Sequence, residues 1–476
     1  MINRLFVNKK ILNLFFLLLG IVGFLIVTIN IGKGISTSNE IVGLLILSLF
    51  GVFLIWFKVE YGLYLIILMS FFMDWLTEEA GLFPHAFSWI IEAILILLFI
   101  KILLPKINRK LIRGSNIDKI LLIIVILGIV SALINGFTIV NILLGFRVYF
   151  KFIIVFYIII NTNFSEKTYK NLIIFLLAMI LFQVPIALWQ FFILHLLYDS
   201  ATGSIRGAGI ICVLSISMIC LLWSLYLYYK SSIKYIILSI LLFILPVLGE
   251  AKAFFFFFPL TIIFLFREKI FQKPVKNLFY VISMSLIFII AINQYGKIPG
   301  NVTNLKEALL SPSILLSDKG YSVSTYGRIE DISDSHLMIS QSYYNLLFGF
   351  GIGSKTLTYS ELMNQYNSKE RVIVLTHISH ILYEYGYLGM GLFFVMYFFI
   401  FIYNLRISKN IRNPFWGSIS FGFNGVLFIY VISAFYIDIT YDAISCFFWT
   451  LVGILYKVGI IDKLNLKMNI NVRKLD

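Results

Sequence analysis

A chain of 476 residues in which 60% are hydrophobic and only 13% charged, with a mean hydropathy of +0.96, lies outside the range of soluble domains. Its net charge of +15 would suggest a nucleic-acid partner in a soluble protein, but the basic residues fall in short clusters between apolar runs, the pattern that orients a chain in a bilayer. The composition predicts an all-α polytopic membrane protein. The runs lack the period-two alternation of barrel strands, and Cys212, Cys220 and Cys446 sit inside them as packing residues, without metal-ligand spacing.

Arg4, Lys9 and Lys10 precede the first run, 11–28, and hold the N-terminus in the cytoplasm; no small-residue cleavage site follows, so the run reads as a retained span. Runs 41–57, 61–73 and 86–104 come next, with the acidic stretch Asp74, Glu78 and Glu79 outside and the basic cluster Lys101, Lys106, Arg109, Lys110 and Arg113 inside. Spans 117–133 and 152–160 are joined by a predicted hairpin over 135–145, with Arg147 and Lys151 expected to snorkel to the outer interface. Span 172–194 leads out to Arg206 and 210–229 returns. Two short spans, 235–248 and 254–266, then flank an outside hairpin carrying Glu250 and Lys252, an arrangement that suggests a recessed polar site.

After span 278–292 comes the long polar stretch that cannot lie in lipid, and then spans 381–403, 415–436 and 443–456, with Asp438 and Asp442 in an acidic outside turn. The expected organisation has about 14 transmembrane helices, within a range of 12–14, and both termini inside. It comprises an N-terminal bundle over 1–293 with about 11 spans, a large extracytoplasmic loop over 294–376, about three spans over 377–457, and a basic tail over 458–476.

Topology gathers the candidate chemistry on the outside. Arg206, Lys252 and Arg328 offer guanidinium and ammonium donors suited to a lipid-linked diphosphate, the alternative being interfacial anchoring. His377 and His380 are three apart where a helix begins, with Glu384 one turn on, so all three share a face and an imidazole there can take a proton. Glu250 and Asp331 are further candidates for substrate contact. His-x-x-His lacks the spacing of a zincin helix, and a cap or interface histidine is the plainer alternative. His336 and His85 read as surface residues. The stretch 346–354, with Gly349, Gly351 and Gly353, has no nucleotide-loop context and reads as a close-packing turn.

These elements, in this order, resemble the bacterial O-antigen polymerase and O-antigen ligase superfamily. The resemblance rests on Arg206 to Gly209, Lys252, Arg328, Leu347 to Gly353, and His377 or His380 followed by Glu384, Gly386 and Gly389. It implies a fold similar to the GT-C class and metal-independent glycosyl transfer, without a cofactor, from an undecaprenyl-diphosphate-linked oligosaccharide on the outer face of the cytoplasmic membrane. In that reading Arg206, Lys252 and Arg328 bind the diphosphate, one of the two histidines is the general base and Glu384 orients it. A chain-length regulator and a flippase are the implied partners. Polymerisation of repeat units for a surface polysaccharide is the leading expectation; ligation of a finished glycan and transport of a lipid-linked oligosaccharide are the alternatives.

Overall fold

The computed structural model describes residues 58–79, 89–103, 116–196, 201–205, 207–249, 251–272, 327–355 and 376–472. The expected spans 11–28, 41–57 and 278–292 lie outside the described residues. Within them the chain is helical: α1 Val59–Asp74, α2 Ile90–Leu98, α3 Asn116–Ile134, α4 Ile139–Asn161, α5 Glu166–Leu181, α6 Gln183–Phe192, α7 Ala208–Tyr228, α8 Ile233–Leu248 and α9 Lys252–Gln272. The loop contributes α10 Arg328–Ile339 and α11 Tyr343–Phe348, and the chain ends with α12 His377–Asn410, α13 Pro414–Ser433 and α14 Asp442–Val472. Eight segments among the described residues are long and apolar enough to cross a membrane, α5 and α6 together forming one of them, and α8 and α9 are shorter apolar helices. The protein is a multi-pass helical membrane protein.

Local chemistry sets the helix ends. Thr138, Ser165, Thr376 and Asn413 each cap a helix by accepting a backbone N–H with the side chain, and Pro414 follows its cap at the first helical position, where a missing N–H costs nothing. Pro185 explains the break between α5 and α6: its ring opposes the carbonyl of Leu181 and it cannot donate.

Helices α7 and α14 are apolar on nearly every side and form the centre. Around α7 stand α8, α9 and α13, and α14 lies along α4. A Cβ on Gly422 would press on the carbonyl of Cys220, and one on Gly425 on its thiol, so small residues let α13 and α7 approach closely. All three cysteines are buried and free, in keeping with a packing role.

Two sequence expectations are corrected. Helix α4 starts at Ile139, so the expected hairpin over 135–145 is mostly helix, and Arg147 and Lys151 lie two to three turns inside it. They do not snorkel. Arg147 Nε is 2.5 Å from Glu92 Oε1 and its guanidinium stacks 4.3 Å from Trp89, while Lys151 Nζ bonds Asp442 at 2.6 Å and Glu92 at 3.4 Å. The span expected over 172–194 is present as the membrane-length segment Glu166–Phe192, broken at Phe182 into α5 and α6, and the last helix continues to Val472.

Candidate functional site

The site is built around the turn 434–441 between α13 and α14, onto which α12 docks end-on. The first N–H groups of a helix have no partner within it; here those of His377 and Ile378 donate to the carbonyls of Ile437 and Ala434, both at 3.1 Å. That contact delivers the two histidines to Asp438. Its Oδ1 accepts from His377 Nδ1 at 3.0 Å and from the Thr440 N–H and hydroxyl at 3.0 and 2.8 Å, while Oδ2 accepts from His380 Nδ1 at 2.8 Å. Burial would push the Asp438 carboxyl up, but the neighbouring charge of His380 and the hydrogen bonds from both imidazoles prevail and hold it well below the usual carboxylate range.

Residues 377–385 form two and a half turns, ended by Gly386 at φ 62°, ψ −169°, a conformation that only glycine adopts readily. The kink frees the carbonyls of Tyr383 and Glu384, which accept instead from the N–H groups of Phe350 and Gly351 at 2.9 and 2.8 Å. Gly349, at φ 71°, sits directly against this break: a Cβ there would lie 2.5 Å from the Tyr385 nitrogen, and one on Gly386 would lie 2.5 Å from the Leu347 carbonyl. Gly351 and Gly353 meet the backbones of Ala132 and Asn141. The close-packing role read from 346–354 is thereby given a purpose, which is to seat the loop on the kink beneath Glu384.

Glu384 is fully buried. Its Oε1 accepts the Lys355 N–H at 2.9 Å and faces His380 Nε2 at 3.6 Å. The expected shared face of His377, His380 and Glu384 is present, but the group that orients both imidazoles through Nδ1 is Asp438. Tyr149 of α4 lies against them, its ring 5.0 Å from His380 and 6.2 Å from His377.

Arg328 opens α10, lays its guanidinium 3.8 Å over the Tyr436 ring and donates from Nε to the Tyr436 carbonyl at 2.7 Å, two residues from Asp438. Asp331, one turn along and named among the candidates for substrate contact, is buried and clamps the loop. Its Oδ2 accepts from the N–H and hydroxyl of Thr376 and from the Ser379 hydroxyl, and its Oδ1 meets Lys355 Nζ at 3.4 Å. Lys355 Nζ also reaches Ser335 and Ser379, each at 3.2 Å. Burial lowers the Lys355 amine below the usual lysine range, with Asp331 opposing the shift.

Arg206 and Glu250 lie outside the described residues, as does the Lys252 side chain, but the backbone around them is placed. Buried Gln190 bonds the N–H and carbonyl of Gly203 at 2.7 and 2.9 Å, and buried Gln183 accepts from the Ser204 N–H and hydroxyl, both at 2.7 Å. Thr202 and Ala208, on either side of Arg206, are among the residues a Cβ on Gly249 would meet. Gly209 abuts Ile437, and Phe257 of α9 meets Tyr436 edge to face at 5.6 Å. The start of α7, and α9 at its second turn, therefore reach the turn that holds Asp438.

Sequence reasoning missed Asp438 as a site residue, and Lys355 altogether. Asp438 carried a signal in its placement on the side of the membrane assigned to the histidines; Lys355 carried none. His336 is exposed and bonds the Tyr387 hydroxyl at 3.0 Å, and His85 lies outside the described residues. Among the described residues no group of three or more His, Cys, Asp or Glu has the geometry to hold a metal ion. A cavity of about 740 Å³, lined in part by Tyr403, Arg406, Arg412 and Asp462, opens at the other end of α12 and takes no part in the site. No protein-family model and no curated protein matches the chain.

Proposed function

We propose that the chain is a membrane glycosyltransferase that joins lipid-diphosphate-linked oligosaccharide units into a surface polysaccharide. One observation carries the reading: the turn 434–441 is the common meeting point of the start of α7, the second turn of α9, Arg328 and the paired histidines, segments up to about 170 residues apart in sequence. Glycosyl transfer from a diphosphate needs a base for the attacking hydroxyl and positive charge for the departing diphosphate, and no more. An imidazole held by a carboxylate supplies the first, worth about 10² to 10⁴ in rate. Arg328, fixed on Tyr436, supplies part of the second, and Arg206 and Lys252 belong to the chain segments that converge beside it. The donor is activated by its own leaving group, so the proposal needs no metal or cofactor.

A second reading, transport of the lipid-linked oligosaccharide, draws on the partly buried Glu92, Arg147, Lys151 and Asp442 network, since ionisable groups within a helical membrane bundle often mark a transport path. One experiment separates the readings. Purified protein is reconstituted in vesicles with an undecaprenyl-diphosphate-linked repeat unit, and product size is followed by mass spectrometry. The expected result is a ladder spaced by one repeat, reduced at least about 100-fold in Arg328→Ala and in the double variant His377→Gln/His380→Gln. An unelongated donor that changes leaflet would favour transport, and elongation only after a different acceptor is added would favour a ligase.

A further inference from the structure

The two imidazoles share one carboxylate yet differ on their far sides. Asp438 accepts hydrogen bonds at both oxygens, four in all, so it stands as a carboxylate and each Nδ1 that faces it carries hydrogen. His380 Nε2 faces the Glu384 oxygen that accepts the Lys355 N–H; a bare lone pair on Nε2 would oppose that oxygen, and a proton there turns the 3.6 Å approach into an attraction. Neither Nε2 has a hydrogen-bond partner among the described residues; what separates them is charge, since Glu384 Oε1 stands 3.6 Å from His380 Nε2 and, among the described residues, no carboxylate approaches His377 Nε2 within ion-pair distance. Among the described residues the ionisable groups facing the pair are Tyr149 from α4, Glu384 from α12 and Asp438 from the turn; Tyr385 packs edge-on against Tyr149, and Lys355 and Asp331 stand behind Glu384 and Ser379.

We infer that, within the glycosyl transfer proposed above on which this rests, the histidines divide the work: His377 takes the proton at Nε2, His380 is a fixed imidazolium bracketed by Asp438 and Glu384, and Asp438 positions both. In the transfer step the acceptor hydroxyl gives its proton to His377 Nε2, and its oxygen forms the bond to the anomeric carbon. The bond from that carbon to the diphosphate oxygen breaks, leaving its electron pair on the diphosphate, and His377 later releases the proton to water. The imidazolium of His380 is a full positive charge beside this chemistry that never has to be gained or lost.

The test begins with the protein alone. The full chain with ¹⁵N-labelled histidine, in lipid nanodiscs at pH 7.5, gives solid-state NMR signals from five histidines; His377→Gln and His380→Gln assign two of them, with the Asn variants in reserve should either fail to fold. The expected pattern is His380 protonated on both nitrogens and His377 neutral with hydrogen on Nδ1. A neutral His380, a charged His377, or His377 with hydrogen on Nε2 overturns the inference. Asp438→Asn offers one acceptor and one donor in place of two acceptors, so one imidazole should give up its Nδ1 hydrogen, His377 by switching tautomer or His380 by becoming neutral, a change that loss of packing alone would not produce; hydrogen retained on both Nδ1 atoms would remove Asp438 from the positioning role. In the elongation assay His380→Lys, which keeps a charge, should retain at least about tenfold more activity than His380→Gln, while both Lys and Gln at His377 lose about 100-fold. The reverse ranking overturns the division. An inactive wild-type chain with the expected NMR pattern would instead count against glycosyl transfer and leave the protonation states standing.

Discussion

Replacing Lys355 by Met should detach the loop from the histidine helix. Lys355 and Asp331 are almost completely enclosed, and breaking a buried pair from one side costs about 3–5 kcal/mol because the remaining charge is left uncompensated. Asp331 keeps its donors from Thr376 and Ser379, and the lost lysine contacts are long, at 3.2 to 3.4 Å, so the lower end of that range applies, about 3 kcal/mol. At about 1.4 kcal/mol per tenfold, this is a loss of roughly 100-fold in the closing equilibrium of residues 327–355. Hydrogen exchange reads it directly, since the amides of Phe350, Gly351 and residue 355 are protected by acceptors on Tyr383 and Glu384. Their protection should fall about 100-fold in Lys355→Met, with amides of α7 unchanged. Adding Asp331→Asn removes the orphaned charge and should recover most of the loss, to within about 1 kcal/mol of wild type. Unchanged protection in the single variant, or a double variant worse than either single, would refute the reasoning.

Gly386→Ala forces a Cβ toward the Leu347 carbonyl in a backbone region closed to L-residues; a loss of about 2–3 kcal/mol and a flexible segment 346–355 in exchange experiments are expected, with wild-type protection as the contrary result. Asp438→Asn should lower thermal stability at neutral pH. Because folding depresses the Asp438 carboxyl, its contribution is complete above the ordinary aspartate value of 3.8 and is lost as pH falls toward the folded value, so the gap between wild type and variant should narrow below about pH 4, and a gap that widens there would contradict the assignment. Glu92→Gln removes the carboxylate that Arg147 and Lys151 share and should destabilise by about 1–2 kcal/mol, less than a fully enclosed pair would; adding Arg147→Met removes one of the two cations and should return part of the melting midpoint.

The apolar runs declare themselves because lipid demands long uninterrupted stretches, and the common face of His377, His380 and Glu384 follows from helical spacing. The start of α4 was hidden by Asn141 and Gly145, which resemble a hairpin although Thr138 stands as a proper cap. The charges were harder to read. Positive residues near span ends look alike whether they reach lipid headgroups or partly buried carboxylates, and the partners here are far away in sequence: Lys151 pairs with Asp442 at a separation of 291 residues and His377 with Asp438 at 61. Lys355 follows the glycine turn with nothing local to mark it, and its role exists only once α10 and α12 have met.

The contact between Gly349 and Gly386 has a genetic consequence. In most packed interfaces a side chain that grows can be accommodated by one that shrinks opposite it, so damaging substitutions acquire suppressors by volume exchange. Here neither partner has a side chain to give up, and the opposing atoms are backbone. A selection for revertants of a substitution at either glycine should return the original residue, or changes in the lengths of the flanking segments, and no compensating trim at the facing position.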